Sequence, residues 1–317
     1  MDLLYGTKTL INLFNIPSYT IDTSKFSHLL HDEVVEQFEN KFCEYVGAQY
    51  ACSVSSATNA IFLTFLNRGL TVDVPSIIPP VVCNGLITGG NNVNFIDNTG
   101  WVGDSYILHR FDDYKVIDSA QKVERNQFSN EADDQDLMIF SFYPTKPVGS
   151  CDGGIIVSND WSKIQRFKES TLNGMTFSKD NWDRKIKFPG YKMYMNSVQS
   201  QIALNNLNKL DTKNKRLIEI REFYNEKLDI NNTSNHLYRL NVENRDDFVA
   251  SMRSANIQTG VHYNALHENN VYNSNLVNLP NSSLEGKTTV SIPFHEMLNT
   301  KELNTIVERV KEYASRS

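Results

Sequence analysis

Residues 137–157 read LMIFSFYPTKPVGSCDGGIIV: two short apolar runs, Leu137–Phe142 and Gly154–Val157, around a turn holding Lys146, Gly149, Gly153 and Gly154. Short apolar runs bounded by turn residues are the pattern of buried strands. Toward the amino terminus the pattern repeats at Tyr50–Val54, Ser76–Ile78, Val93–Ile96, Tyr106–Phe111 and Lys115–Ile117, with a helix expected over Thr58–Asn67. Before these, His31–Tyr45 (HDEVVEQFENKFCEY) sets Val34, Val35, Phe38, Phe42 and Tyr45 at helical spacing, and Gly47 follows as a stop. This order implies an α/β domain with a largely parallel sheet. One pair strains that reading, because only Asp112, Asp113 and Tyr114 separate Tyr106–Phe111 from Lys115–Ile117. A parallel crossover needs about a dozen residues or more. The two strands therefore form a tight antiparallel pair, or one of them lies outside the main sheet.

Toward the carboxy terminus, Asn196–Leu228 carries two adjoining helical patterns, with Val198, Ile202, Leu207 and Leu210 on one face, then Leu217, Ile220, Tyr224 and Leu228 after the polar stretch DTKNKR. They read as the bridge to a second domain. Beyond it come a strand His236–Val242, a helix Arg245–Ala255, a strand Thr259–Tyr263, an Asn-rich loop, a strand Thr289–Pro293 and a helix Lys301–Ala314. The expected division is a large domain over 1–213 and a small α+β domain over 214–317.

The 317 residues are 40% hydrophobic and 21% charged, with 15 Gly and 9 Pro, which excludes disordered, collagen-like and low-complexity classes. A formal charge of −6 provides no general basic field, so neither nucleic acid nor an anionic membrane surface is an expected partner. No apolar run reaches transmembrane length. The opening MDLLYGTKTLINLFNIPSYT does not read as a signal peptide, and Cys43, Cys52, Cys83 and Cys151 are scattered without a CxxC pair. Reduced thiols in the cytoplasm are the expectation.

Three elements carry chemistry. Asp118, in KVIDSAQ, stands where an apolar strand ends, the edge at which α/β sheets bind ligands. Lys146 also follows a buried-looking strand, and partial desolvation there favours the neutral amine that Schiff-base chemistry needs, although a plain surface lysine has the same sequence signature. In VSSATNAI a strand runs through Ser55, Ser56 and Ala57 into a helix starting near Thr58; its open N–H groups suit a phosphate, and simple capping by Ser56 or Thr58 is the alternative. Together they meet the demands of pyridoxal 5'-phosphate: a carboxylate for the pyridinium nitrogen, an amine to hold the cofactor and an anion cradle.

The order Ser-Ala-Thr, Asp-Ser-Ala-Gln, Ser-Phe-x-x-x-Lys and Asp-Gly-Gly resembles the DegT/DnrJ/EryC1/StrS family of pyridoxal-phosphate sugar aminotransferases. The likeness extends to VEQFENKFCEYVGAQYACSVSSATNAI, GYKMYMNSVQSQIALNNLNKL, GVHYNALH and VSIPFHEMLNTKELNTIVERV. It implies the type I fold of pyridoxal-phosphate enzymes and an amino transfer, from glutamate, to a nucleotide-linked keto-deoxysugar. Carried over by position, Lys146 would hold the cofactor and shuttle a proton, Asp118 would keep the ring nitrogen protonated, and Gln121 would lie against the ring or its 3′ oxygen. Ala57, Thr58 and Ser141 would bind the phosphate. His262 and Tyr263 would sit near the substrate; with His267 they make a poor metal signal, and no metal is expected.

Four departures stand beside the matches. Ala57 replaces the family's usual glycine, Cys83 occupies the place of an aromatic residue that stacks on the ring, and Lys192 stands where the family has an asparagine that reaches a partner subunit's cofactor phosphate. A lysine binds phosphate as a point charge, so a homodimer with shared sites is still implied. The chain is also compressed between Asp97 and Asp118, beside the substrate mouth in relatives. Two rival readings are a cofactor-dependent sugar dehydratase, against which Lys146 argues because those relatives carry histidine there, and a catalytically decayed member acting as a binding or regulatory protein.

Overall fold

Every residue of Leu137–Ser141 and Gly154–Ser158 is buried, because helices cover both faces of their sheet. The computed structural model describes residues 10–15, 19–26, 33–176, 184–272 and 277–315. The opening nine residues lie outside it, as do His31 and Asp32 of the expected first helix. In chain order the large part holds α1 (Glu33–Val46), β1 (Tyr50–Val54), α2 (Ala57–Phe65), β2 (Thr71–Pro75), α3 (Pro80–Thr88), β3 (Asn92–Ile96), β4 (Tyr106–Arg110), β5 (Lys115–Asp118), α4 (Gln127–Glu131), β6 (Leu137–Ser141), β7 (Gly154–Ser158), α5 (Trp161–Thr171) and α6 (Ser197–Leu207). Then follow α7 (Leu210–Leu228), β8 (Tyr238–Asn241), α8 (Arg245–Ser254), α9 (Pro280–Thr288), β9 (Thr289–Ile292) and α10 (Thr300–Ala314).

The expected α/β architecture is present, but the central sheet is not largely parallel. Its order is β1-β7-β6-β5-β4; only β5 and β6 run parallel, while β1–β7, β6–β7 and β4–β5 are antiparallel. A separate parallel pair joins β2 to β3. The chain lengths explain the correction. The link from β4 to β5 closes as a hairpin, with Phe111 N–H donating to the Tyr114 carbonyl at 2.8 Å and the two rings stacked at 4.6 Å, so the antiparallel alternative holds. Between β6 and β7 the chain turns back on itself without a crossover helix.

Alternation along β6 sorts the core. Met138 and Phe140 face α1, where Phe42 meets Phe140 at 5.0 Å and Phe38 meets Phe142 at 5.1 Å, edge to face. Each such pair adds about 0.5–1.5 kcal/mol beyond its burial. Leu137 and Ile139 face the opposite cluster with Ile61, Leu63 and Val74. Glu39 is buried in α1 and accepts from the Ser53 N–H at 2.7 Å, from its hydroxyl at 2.8 Å and from Lys168, which pins α1 and α5 to β1.

Two expected strands are not strands. Ser76–Ile78 follows β2 and leads to Pro79–Pro80, where α3 begins; proline suits a first helical turn, whose N–H has no partner to lose. Thr259–Tyr263 makes a single bridge, Gly260 to Ser291. The polar DTKNKR forms the first turns of α7, and the break between helices falls at Asn208–Lys209. In the small part β8 pairs antiparallel with β9, packed by α8 and α10 around Tyr224, Tyr238, Phe248 and Ile306. Ile11 joins that cluster, donating its N–H to the Asn256 carbonyl at 2.9 Å. No described helix is long and apolar enough to cross a membrane.

Candidate active site

Asp118 ends β5, and the β4–β5 hairpin sets Tyr106 directly opposite it. The Tyr106 hydroxyl donates to Asp118 Oδ2 at 3.1 Å and the Ala120 N–H to Oδ1 at 2.9 Å. Both donors are neutral and the carboxylate is only 4% exposed, so burial pushes its pKa up. Trp101 packs on Tyr106 with ring centroids 4.6 Å apart and is itself fixed by Nε1–H donating to the Ile77 carbonyl at 2.9 Å.

Lys146 lies in the excursion between β6 and β7. Phe142 closes that excursion, donating its N–H to the Gly153 carbonyl at 2.8 Å and accepting from the Ser150 N–H at 2.7 Å. Lys213 Nζ donates to the Pro147 carbonyl at 3.0 Å, and Asn206 Nδ2 to the Gly149 carbonyl at 2.6 Å, so α7 and α6 hold the loop from below. Burial lowers the half-buried Lys146 amine to a pKa of about 8, with nearby Asp118 acting in the opposite direction. The neutral form therefore gains ground well below the 10.5 of a free lysine. In the cofactor-free chain, amine-selective labelling of Lys146 should reach half its maximal rate near pH 8; a midpoint near 10.5 would show a solvated lysine.

The start of α2 comes over the start of β7. Ser56 caps it, accepting from the Asn59 N–H at 3.2 Å, which leaves the Ala57 and Thr58 N–H groups pointing out of the first turn. Gly154 allows the approach: a Cβ there would lie 2.6 Å from Ala57 N and 2.8 Å from Ala57 Cα. Gly154 pairs with Ser141, whose hydroxyl accepts from the Tyr143 N–H at 3.3 Å. Gly154→Ala should cost about 1–3 kcal/mol of stability. Denaturant unfolding checks this, and an unchanged midpoint would mean that α2 does not press on β7.

Gln121 and Tyr263 meet across the two parts of the chain. Gln121 Nε2 donates to the Tyr263 hydroxyl at 3.0 Å, and its Oε1 accepts from the Gly103 N–H at 2.8 Å. His262 shares a 2.8 Å hydrogen bond between Nδ1 and the Ser291 hydroxyl. Burial first, then the positive charges of Lys146 and Arg239, pull its pKa down to about 4. His267 points elsewhere, to Ser76 at 2.6 Å and Ser283 at 3.2 Å. Cys83 is fully buried in α3, where desolvation lifts its thiol to about 12 and keeps it neutral. Lys192 stands apart: exposed, on a segment whose neighbour Met193 accepts from the Ser55 N–H at 2.7 Å, beside the start of α2.

Two residues of this neighbourhood escape a reading of the sequence. Tyr106 becomes visible only once the β4–β5 turn is taken as a hairpin and its register counted. His236 gives no local signal: it stacks on Phe14, centroids 6.1 Å apart, and burial together with Lys146, His262 and Lys213 drives its pKa well down.

The sequence profile of the DegT/DnrJ/EryC1/StrS aminotransferase family matches residues 19–85 and 130–311. The chain belongs to that family. The profile passes over 86–129, the stretch that contains both the compressed segment and Asp118. A relative from Campylobacter jejuni, a UDP-4-amino-4,6-dideoxy-N-acetyl-beta-L-altrosamine transaminase, is 27% identical, over 92% of this chain and 96% of its own. Among solved structures, the aminotransferase TlmJ from Streptoalloteichus hindustanus shares the fold with a TM-score of 0.82 at 20% identity, covering 98% of this chain and 100% of its own. The putative sugar aminotransferase Spr1654 from Streptococcus pneumoniae, in its PLP form, does so with a TM-score of 0.78 at 17% identity, covering 96% of this chain and 98% of its own. This DegT-family chain is thus an aminotransferase by descent and by fold.

Proposed function

We propose that this chain is a pyridoxal-phosphate-dependent transaminase that moves the amino group of glutamate to a keto group on a nucleotide-linked deoxysugar, working as a cytosolic homodimer. The observation that carries the reading is the Lys146 amine, its pKa lowered by burial, in the turn that follows β6 and within electrostatic reach of buried Asp118 at the end of the adjacent strand β5. The donor set suits the cofactor: a buried carboxylate held by neutral donors, an amine of low pKa, and a helix start drawn in over Gly154. The Campylobacter jejuni relative's name supports the sugar-nucleotide acceptor. Free thiols at all four cysteines fit a reducing compartment.

When bound, pyridoxal phosphate supplies the electron sink that makes the donor's α-proton acidic. Asp118 would hold a proton on the ring nitrogen through its carboxylate. Lys146 Nζ would hold the cofactor and would move the proton between the substrate and cofactor carbons, as base and then acid. The Ala57 and Thr58 N–H groups, with the Thr58 and Ser141 hydroxyls, would hold the phosphate at the positive end of α2. Gln121, fixed by Gly103, orients Tyr263 toward the site, and the neutral Cys83 thiol gives a soft wall in place of an aromatic ring. His262 and Tyr263 border the substrate.

An absorption spectrum of the cofactor-loaded protein before and after glutamate tests the reading. We expect the bound-cofactor band to shift on adding glutamate; an unchanged spectrum would sink both donor and activity, as for a member that has lost catalysis. Lys192 is assigned to the partner's phosphate site. Mixing Lys146→Ala with Lys192→Ala chains should restore part of the activity, because one site of each mixed dimer has both native residues. No recovery between folded variants would count against the shared site.

A further inference from the structure

We infer that the polar cleft between the turn 100–104 and the loop 232–235 receives the uncharged, hydroxyl-bearing sugar part of the acceptor and turns its diphosphate away. This rests on the nucleotide-sugar reading above and adds a location and a chemistry to it. The cleft has a volume of about 260 Å³. That is just under the range of about 300–1,000 Å³ usual for small-molecule sites, enough for one ring and not for a whole nucleotide sugar. One wall, 100–104 with 121–124, comes from the stretch that the family profile passes over, and the other, with Pro147, Asn214 and 232–235, from the stretch that it matches. Gln121 and Pro147 also line it, and they connect it to Tyr263 and to the Lys146 loop.

The walls are fixed in advance. Gly103 bridges them: its N–H donates to Gln121 Oε1 at 2.8 Å, and its carbonyl accepts from the Ser234 hydroxyl at 3.1 Å. With φ at +93° and a Cβ position 2.4 Å from Ser234 Oγ, only glycine fits there. Asn214, Thr233 and Asn235 line the space between; the Asn214 amide, the Thr233 hydroxyl and Asn235 Nδ2 make no hydrogen bond to a described residue, while Asn235 Oδ1 accepts from Arg221 at 2.7 Å. Amides and hydroxyls offer both donors and acceptors, the complement of sugar hydroxyls and N-acyl groups. The charges argue against phosphate. The lining ammonium, Lys122, is already 2.9 Å from both Asp104 and Glu131 and 3.8 Å from Glu124, which leaves the cleft acidic on balance.

The test titrates the cofactor-loaded protein with two probes, UDP and UDP-N-acetylglucosamine, a nucleotide sugar without a keto group. The variants are Asn214→Leu, which keeps a good helix former in α7, and Thr233→Val on the exposed loop. Each should weaken UDP-N-acetylglucosamine by about fivefold, the loss of one hydrogen bond, and leave UDP binding as in the parent. Saturation-transfer NMR on the parent should show the sugar and acetyl protons in contact with the protein. Equal losses for both probes would place the diphosphate in the cleft and overturn the proposal. Unchanged affinities in both variants, or no binding of UDP-N-acetylglucosamine by the parent, would overturn it too. The transaminase reading fails separately, through the glutamate-driven spectral change, which makes no use of the cleft.

Discussion

Lys146→Ala is expected to lower amino transfer by at least about 10³-fold, the scale set by loss of a positioned proton carrier together with loss of the covalent hold on the cofactor. The protein should still fold. The Lys213 and Asn206 side chains, donating to the Pro147 and Gly149 carbonyls, hold the loop without help from the Lys146 side chain. Because the folded-state pKa of this lysine is depressed to about 8, its charge costs stability below that pH, and the cost is relieved as pH rises from about 8 toward 10.5. The alanine variant should therefore be at least as stable as the parent below pH 8, with the gain fading above it. Steady-state rates and thermal melts read both expectations. A folded variant that keeps a tenth of the parent's turnover would remove Lys146 from the chemistry.

Asp118→Asn should bind the cofactor and lose about a hundredfold or more in turnover. A buried carboxylate stabilises a proton on a facing nitrogen by its full charge, and an amide offers only a dipole. Tyr106 and Ala120, which donate to the carboxylate, find an acceptor in just one oxygen of the amide, so a modest loss of stability accompanies the change. Turnover within a few-fold of the parent would mean that Asp118 does not act on the cofactor.

How far the sequence could be read follows from how local each feature is. β1, β6 and β7 announce themselves because burial on both faces leaves continuous apolar runs such as Leu137–Phe142. Asp118 and Lys146 stand out for the same reason, as charged residues placed just where such runs stop. Strand direction is not local. The pairing of β7 with β1 brings together residues as distant as Tyr50 and Ser158, and nothing in Gly154–Val157 says which way it runs. The hairpin before Asp118 is half legible: four residues from Phe111 to Tyr114 exclude a parallel crossover, and the antiparallel register then sets Tyr106 opposite Asp118. Ser76–Ile78 misled because Ile77 and Ile78 are fully buried in a non-strand segment. The cleft at Gly103 lay beyond reach: it depends on Ser234, 131 residues away, meeting a glycine that reads as an ordinary turn.

The central claim is that one lysine, Lys146, carries the cofactor. Reducing the protein with borohydride in the presence of pyridoxal phosphate and mapping the labelled peptide by mass spectrometry tests it most directly. The label should sit on Lys146, within the peptide FYPTKPVGS, and should vanish when glutamate is added before the reductant. A label on Lys192, Lys213 or any other lysine, undiminished by glutamate, would contradict the account.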